Sequence, residues 1–142
     1  MLRCNGPLVP TLIVVAFIPW MVLLAALDPV RWFGSSWLRM AWLGLDAVLT
    51  LAFGLLAWML GTHRPGWRRL AWLLLLASLA DPCLALLTHA VFHVPHIHSA
   101  TDALIAGAGI AASALAAGWL AVLLYSLPTK SAAATGEPGP KV

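Results

Sequence analysis

The residues able to do chemistry are concentrated in one stretch, 80–102, ADPCLALLTHAVFHVPHIHSATD. It holds two of the five acids, Asp81 and Asp102, four of the five histidines, and Cys83, one of two cysteines. His89 and His93 are four residues apart and so share one face of a helix. His96 and His98 follow just past Pro95. The pattern H-x3-H-x2-H-x-H could present three imidazoles to a divalent metal such as zinc or copper. It could also relay protons together with Asp81. The plainer reading is that imidazoles sit at a polar–apolar boundary because they are amphipathic, and no cofactor is required by the sequence. No Glu follows His89, which excludes the H-E-x-x-H metalloprotease pattern. A haem held by two histidines of one chain is not expected, because His63 falls in a loop at the opposite end.

Two acids lie within long apolar runs. An ionisable group there is expensive and marks a candidate site. Asp46 is roughly 12 Å from the start of its run at the helical rise, and Asp81 roughly 15 Å from the end of its own. The two therefore sit at one depth, where they could face each other and carry a proton or bind a cation. Each also has a structural reading. Asp81 precedes Pro82 and could cap a helix that breaks and restarts there. Asp46 could simply hydrogen-bond a neighbouring helix. Ser99-Ala100-Thr101-Asp102 fits a capping box, which makes Asp102 structural first, though its carboxylate could orient a nearby histidine. Lone Ser78 and Ser113 are expected to bond their own helix backbone. The chain has no glycine-rich phosphate loop, no G-x-S-x-G and no C-x-x-C, so neither a nucleotide enzyme, a serine hydrolase nor a dithiol redox enzyme is indicated.

These groups are carried on a chain that belongs in lipid. Apolar residues make up 62% of its 142 residues and charged residues only 9%. Soluble domains run at about 45–50% and about 25%. Four runs are long enough to cross a bilayer core of about 30 Å: 8–27, 38–60, 67–92 and 101–127. The first exceeds a signal-peptide core and has no clean cleavage site, so it reads as an uncleaved span, kinked at Pro19. Asp28-Pro29 reads as a cap opening a short interfacial turn that Gly34 ends. Residues 129–142 read as a disordered cytoplasmic tail. The fold class is all-α, a four-helix transmembrane bundle.

With four spans, the positives at 3, 64, 68, 69, 130 and 141 share a side, against Arg31 and Arg39 on the other. Six against two puts both termini in the cytoplasm. The net charge of +3 follows from this placement and does not indicate nucleic-acid binding. Trp32, Trp37 and Trp42 at one boundary, and Trp58, Trp67 and Trp72 at the other, form an aromatic belt that needs no ligand to explain it. In the fourth span Ala103, Gly107, Ala111, Ala114 and Gly118 recur at helical spacing. Such a stripe lets helices approach closely, either within the bundle, which is the expectation, or across a homodimer seam.

Asp46-Ala-Val-Leu-Thr-Leu-Ala-Phe-Gly, the basic turn Thr62-His-Arg-Pro-Gly-Trp-Arg-Arg, the pair His89 and His93, and Thr101-Asp102 together resemble the small four-helix, DoxX-like membrane proteins of GC-rich bacteria. The resemblance covers about 38–125. Leu45 stands where the pattern often has Arg, and Asp81-Pro82-Cys83 where a Pro-His pair is expected. It implies a four-helix bundle in a bacterial inner membrane, no established activity, and a linked site at Asp46, His89 and His93.

Two functional classes follow. One is a non-enzymatic accessory subunit that binds a partner through the fourth span. The other is a membrane-embedded site of Asp46, Asp81, His89 and His93 for a metal ion, a proton or a small apolar ligand. The first is the expectation, because each polar residue has an adequate structural role. No enzymatic activity is indicated.

Overall fold

The computed structural model describes residues 7–88, 90 and 99–126. His89, His93, His96 and His98, the expected tail and the end of the third span all lie outside them. The described residues are all-helical, with no strand. Helix α1 is Leu8–Ala26, α2 is Pro29–Phe33, α3 is Ser36–Gly61, α4 is Trp67–Thr88 and α5 is Ala100–Ser126. All but α2 are long and apolar enough to cross a membrane. The four long helices track the four apolar runs of the sequence, and α1 runs unbroken past Pro19.

The helices form two pairs, α1 on α3 and α4 on α5, joined along α3 and α4. Each helix is apolar nearly all round, so the inward face is set by spacing rather than by hydropathy. On α3 the buried residues are Asp46, Leu49, Phe53 and Leu56, at steps of three and four. Ala71, Leu74 and Ser78 continue the pattern on α4, and Ala116, Leu120 and Leu123 on α5. These three stripes meet in one core. The opposite faces carry bare apolar side chains, and Leu8, Val15, Ile18 and Val22 make such a stripe along α1. In water that exposure would be an aggregation liability. Against lipid it costs nothing, so packing complementarity rather than burial from water selects the core. Phe17 stacks on Phe53 with ring centroids 6.4 Å apart, and Gly54 lets α3 come close to Val14.

Polar side chains tie off the helix ends, whose last carbonyls have no helical donor. Asp28 caps α2 by accepting from the Arg31 N–H at 2.8 Å, and Gly34 closes it in the left-handed conformation at φ 74°. Arg39 reaches back to the carbonyls of Ala25 and Leu27 at the end of α1. Arg68 does the same for the Leu124 carbonyl of α5. Pro7 lies beside Gly61, so the start of α1, the turn after α3 and the end of α5 share one end of the bundle. Arg64 and Arg68 lie over the rings of Trp58 and Trp67 at that end, each 5.6 Å from the ring centre.

Two expectations are corrected here. Asp81-Pro82 does not break α4, which runs continuously from Trp67 to Thr88, so Asp81 is not a cap. Pro82 removes only one hydrogen bond, that to the Ser78 carbonyl. A full break in an apolar surrounding would strand several backbone groups, each costing several kcal/mol. The small-residue stripe of α5 does not pack inside the bundle. Ala103, Gly107, Ala111, Ala114 and Gly118 are all exposed, and a Cβ added at Gly107 or Gly118 would meet nothing within 4 Å. α5 instead turns the face of Asp102, Ala106, Gly109, Ser113, Ala116 and Leu120 inward.

Candidate functional site

Because α1 belongs to α3 and α5 to α4, the seam between α1 and α5 is not packed shut. A cavity of about 560 Å³ opens there, lined from all five helices. This lies within the roughly 300–1,000 Å³ range of small-molecule sites. Its wall is mainly Ala, Leu and Ile, with six aromatic rings from Phe17, Trp20, Trp32, Phe33, Trp42 and Trp119. The polar exceptions are Asp46, Asp81 and Ser113.

The helical stripes explain why these three converge. Asp46 sits one turn above Leu49 on the inward face of α3 and is 5% exposed. Asp81 continues the line of Ala71, Leu74 and Ser78 on α4. Ser113 lies one turn from Ala116 on α5. The same stripes continue into the hydrophobic core through Leu49, Leu74 and Ala116. The Ser113 hydroxyl donates a hydrogen bond to the Asp81 carboxylate, linking α4 to α5. The Trp20 side chain faces the Asp46 carboxylate, and Asp81 stands close enough for its charge to act on Asp46. The two acids thus share one cavity, each facing a neutral donor from another helix. Among the described residues no cation is paired with either.

Trp20 is held from behind. A Cβ on Gly109 would lie 3.0 Å from its Cζ2 atom and 3.3 Å from Cη2, so the indole rests directly on the bare backbone of α5. This contact bridges the α1–α5 seam at the level of the acids. It gives Gly109 a steric duty that Gly107 and Gly118 do not have.

Asp102 belongs elsewhere. Its backbone N–H donates to the Ser99 hydroxyl at 3.1 Å, as the capping box requires. Its carboxylate takes Arg31 Nη2 at 2.6 Å, joining α2 to the start of α5. Among the described residues no group of three His, Cys, Asp or Glu could hold a metal. The histidines expected to do so are not among those residues.

Sequence reasoning missed Ser113, which bonds across helices instead of to its own backbone, and the aromatic wall. Trp32 and Trp42, assigned to an interfacial belt, line the cavity, while Trp37, Trp58 and Trp72 are exposed as a belt requires. The signal for Ser113 was present: it falls on the helical line through Asp102, Ala106 and Gly109. The signal for Trp20 and Trp42 was not, because a tryptophan near a span end reads the same whether it faces lipid or a neighbouring helix.

Among the described residues the fold is all-helical, with four helices suited to crossing a membrane and a polar-tipped cavity between the first and last of them. Comparison with known protein families, with curated proteins and with solved structures finds no match.

Proposed function

We propose that the protein is a multi-pass membrane protein that binds a small, largely apolar ligand between α1 and α5, and that it acts by binding rather than by catalysis. One observation carries the reading: buried Asp46 and half-buried Asp81 and Ser113, from three helices, meet in a cavity whose other walls are aliphatic and aromatic. A few placed polar groups in an apolar cavity are the usual composition of a ligand site. Intramembrane acids facing such a space are expensive to keep without a use. Of the two classes drawn from the sequence, the cavity favours the site-bearing one.

An apolar diazirine probe tests this in lipid nanodiscs. Photolabelling is expected to concentrate on peptides of α1 and α5 that line the cavity and to drop when Ala112→Trp fills it. Labelling spread evenly over the outward stripe of α1, and unchanged by that substitution, would reject the site.

The membrane setting proposed is a bacterial inner membrane with both termini cytoplasmic, supported by the six-to-two distribution of Arg and Lys. Labelling of Cys4 by an impermeant thiol reagent in whole cells would reverse that orientation. The DoxX-like kinship rests on the motifs within 38–125. The outward small-residue face of α5 supports self-association through Ala103, Gly107, Ala111 and Gly118. Crosslinking in nanodiscs that is unaffected by Gly107→Leu would remove that seam.

A further inference from the structure

We infer that the ligand of this cavity is an organic monocation, a protonated or quaternary amine on an aromatic or aliphatic body. Its charge sits between Asp46 and Asp81 and its body lies against Phe17, Trp20, Trp42 and Trp119. The inference rests on the reading of the cavity as a ligand site and adds the class of ligand. Three features of the wall support it independently.

The first is charge. Both carboxylates line one cavity, Asp46 is 5% exposed, and among the described residues neither has a cationic partner. Carboxylates removed from water are strongly disfavoured unless paired, and two that share a site repel each other. Trp20 and Ser113 each supply a neutral donor, which orients the acids without offsetting their charge. A single positive charge between them satisfies both at once.

The second is the aromatic wall. Six rings line the space, and the faces of Trp, Tyr and Phe attract cations, most strongly where water is excluded. An aromatic wall suits ammonium groups carrying carbon substituents, because the cation is large and weakly hydrated. An anionic ligand would meet two acids, and a neutral one would leave a shared proton as the only offset to their charge.

The third is the scarcity of oxygen donors. Metal cations such as calcium take about six to eight oxygen ligands, and zinc about four donors. The side chains of the wall offer two carboxylates and one hydroxyl, from Asp46, Asp81 and Ser113, in a space of about 560 Å³. A metal ion held here would have to keep several waters in a space that is otherwise apolar, whereas the volume and the lining suit a body of carbon.

Equilibrium dialysis of the full chain in nanodiscs, with empty nanodiscs as the blank, tests the assignment. The probes are phenylpropyl-trimethylammonium and its neutral isostere, in which carbon replaces the quaternary nitrogen. Wild-type protein is expected to bind the cation roughly tenfold or more tighter than the isostere, a modest demand on two acids and a cation–π wall. Asp46→Asn and Asp81→Asn are each expected to erase that preference while leaving isostere binding in place. Ala112→Trp is expected to weaken both probes. Equal binding of the two probes, both lost in Ala112→Trp, overturns the cationic assignment and leaves the ligand cavity standing. Binding of neither probe above the blank overturns both. Because the comparison of probes is made on the wild-type chain, misfolding of one Asp variant leaves the result decisive, and the other variant locates the charge.

Discussion

Replacing Gly109 with alanine isolates the contact that holds Trp20 over the cavity. An added Cβ would stand 3.0 Å from Cζ2 and 3.3 Å from Cη2 of that indole. Relaxed carbon–carbon contacts lie at about 3.5–4.0 Å, so the ring must retreat by a few tenths of an ångström, away from α5. Overpacking of this kind costs about 1–3 kcal/mol. Alanine in a helix recovers about 1 kcal/mol over glycine. Gly109→Ala is therefore expected to destabilise by up to about 2 kcal/mol. Gly44→Ala and Gly118→Ala, where an added Cβ meets nothing within 4 Å, are expected to be neutral or slightly stabilising. The assay is unfolding in mixed detergent–SDS micelles followed by circular dichroism. The decisive arm is the background Trp20→Phe, which deletes the two atoms in conflict. There Gly109→Ala should behave like Gly44→Ala, with a coupling of roughly 1–3 kcal/mol in the double-mutant cycle. Equal effects of Gly109→Ala in both backgrounds would refute the contact and with it the bridging of the α1–α5 seam.

Other substitutions probe the remaining joints. Ser113→Ala should cost about 1–3 kcal/mol, because the Asp81 carboxylate loses its cross-helix donor, and the loss should shrink in an Asp81→Ala background when melts are compared. Leu56→Ala and Leu120→Ala, both at 0% exposure, should each lower stability by roughly 2 kcal/mol, the low end of the range for buried leucine, since the lipid-bound reference state is also apolar. Leu51→Ala and Leu104→Ala, more than 70% exposed, should stay within about 0.5 kcal/mol in the same titration. Arg39→Met keeps the stem and removes the donors to the Ala25 and Leu27 carbonyls. It should speed amide hydrogen exchange in the last turn of α1 and cost about 1–3 kcal/mol.

Features that depend on summed or local properties were legible in the sequence. The four long helices follow from runs of apolar residues, since crossing lipid depends on the total hydropathy of a segment and not on its neighbours. The cap at Asp28, the stop at Gly34 and the Ser99 half of the capping box are local hydrogen-bonding motifs and were read correctly. Asp81-Pro82 was misread because the same dipeptide opens a helix in water, where a broken backbone is solvated, and is carried within a helix where it is not. Equal rise along two spans suggests one level for Asp46 and Asp81, and the two acids do line one cavity.

What the sequence by itself determined is therefore the number of helices long and apolar enough to cross a membrane, and the positions of Asp46 and Asp81 along two of them. What only the tertiary structure decided is rotation and pairing. On helices apolar on every side, hydropathy does not say which face turns inward. The chain alone could not tell that α5 would present Gly109 and Ser113 to the interior and its small-residue stripe to the outside. Nor could it tell that α1 would side with α3 and leave the seam with α5 open. Those choices are made by shape between helices, a quantity that exists only once they are side by side, and they turn two isolated aspartates into one site.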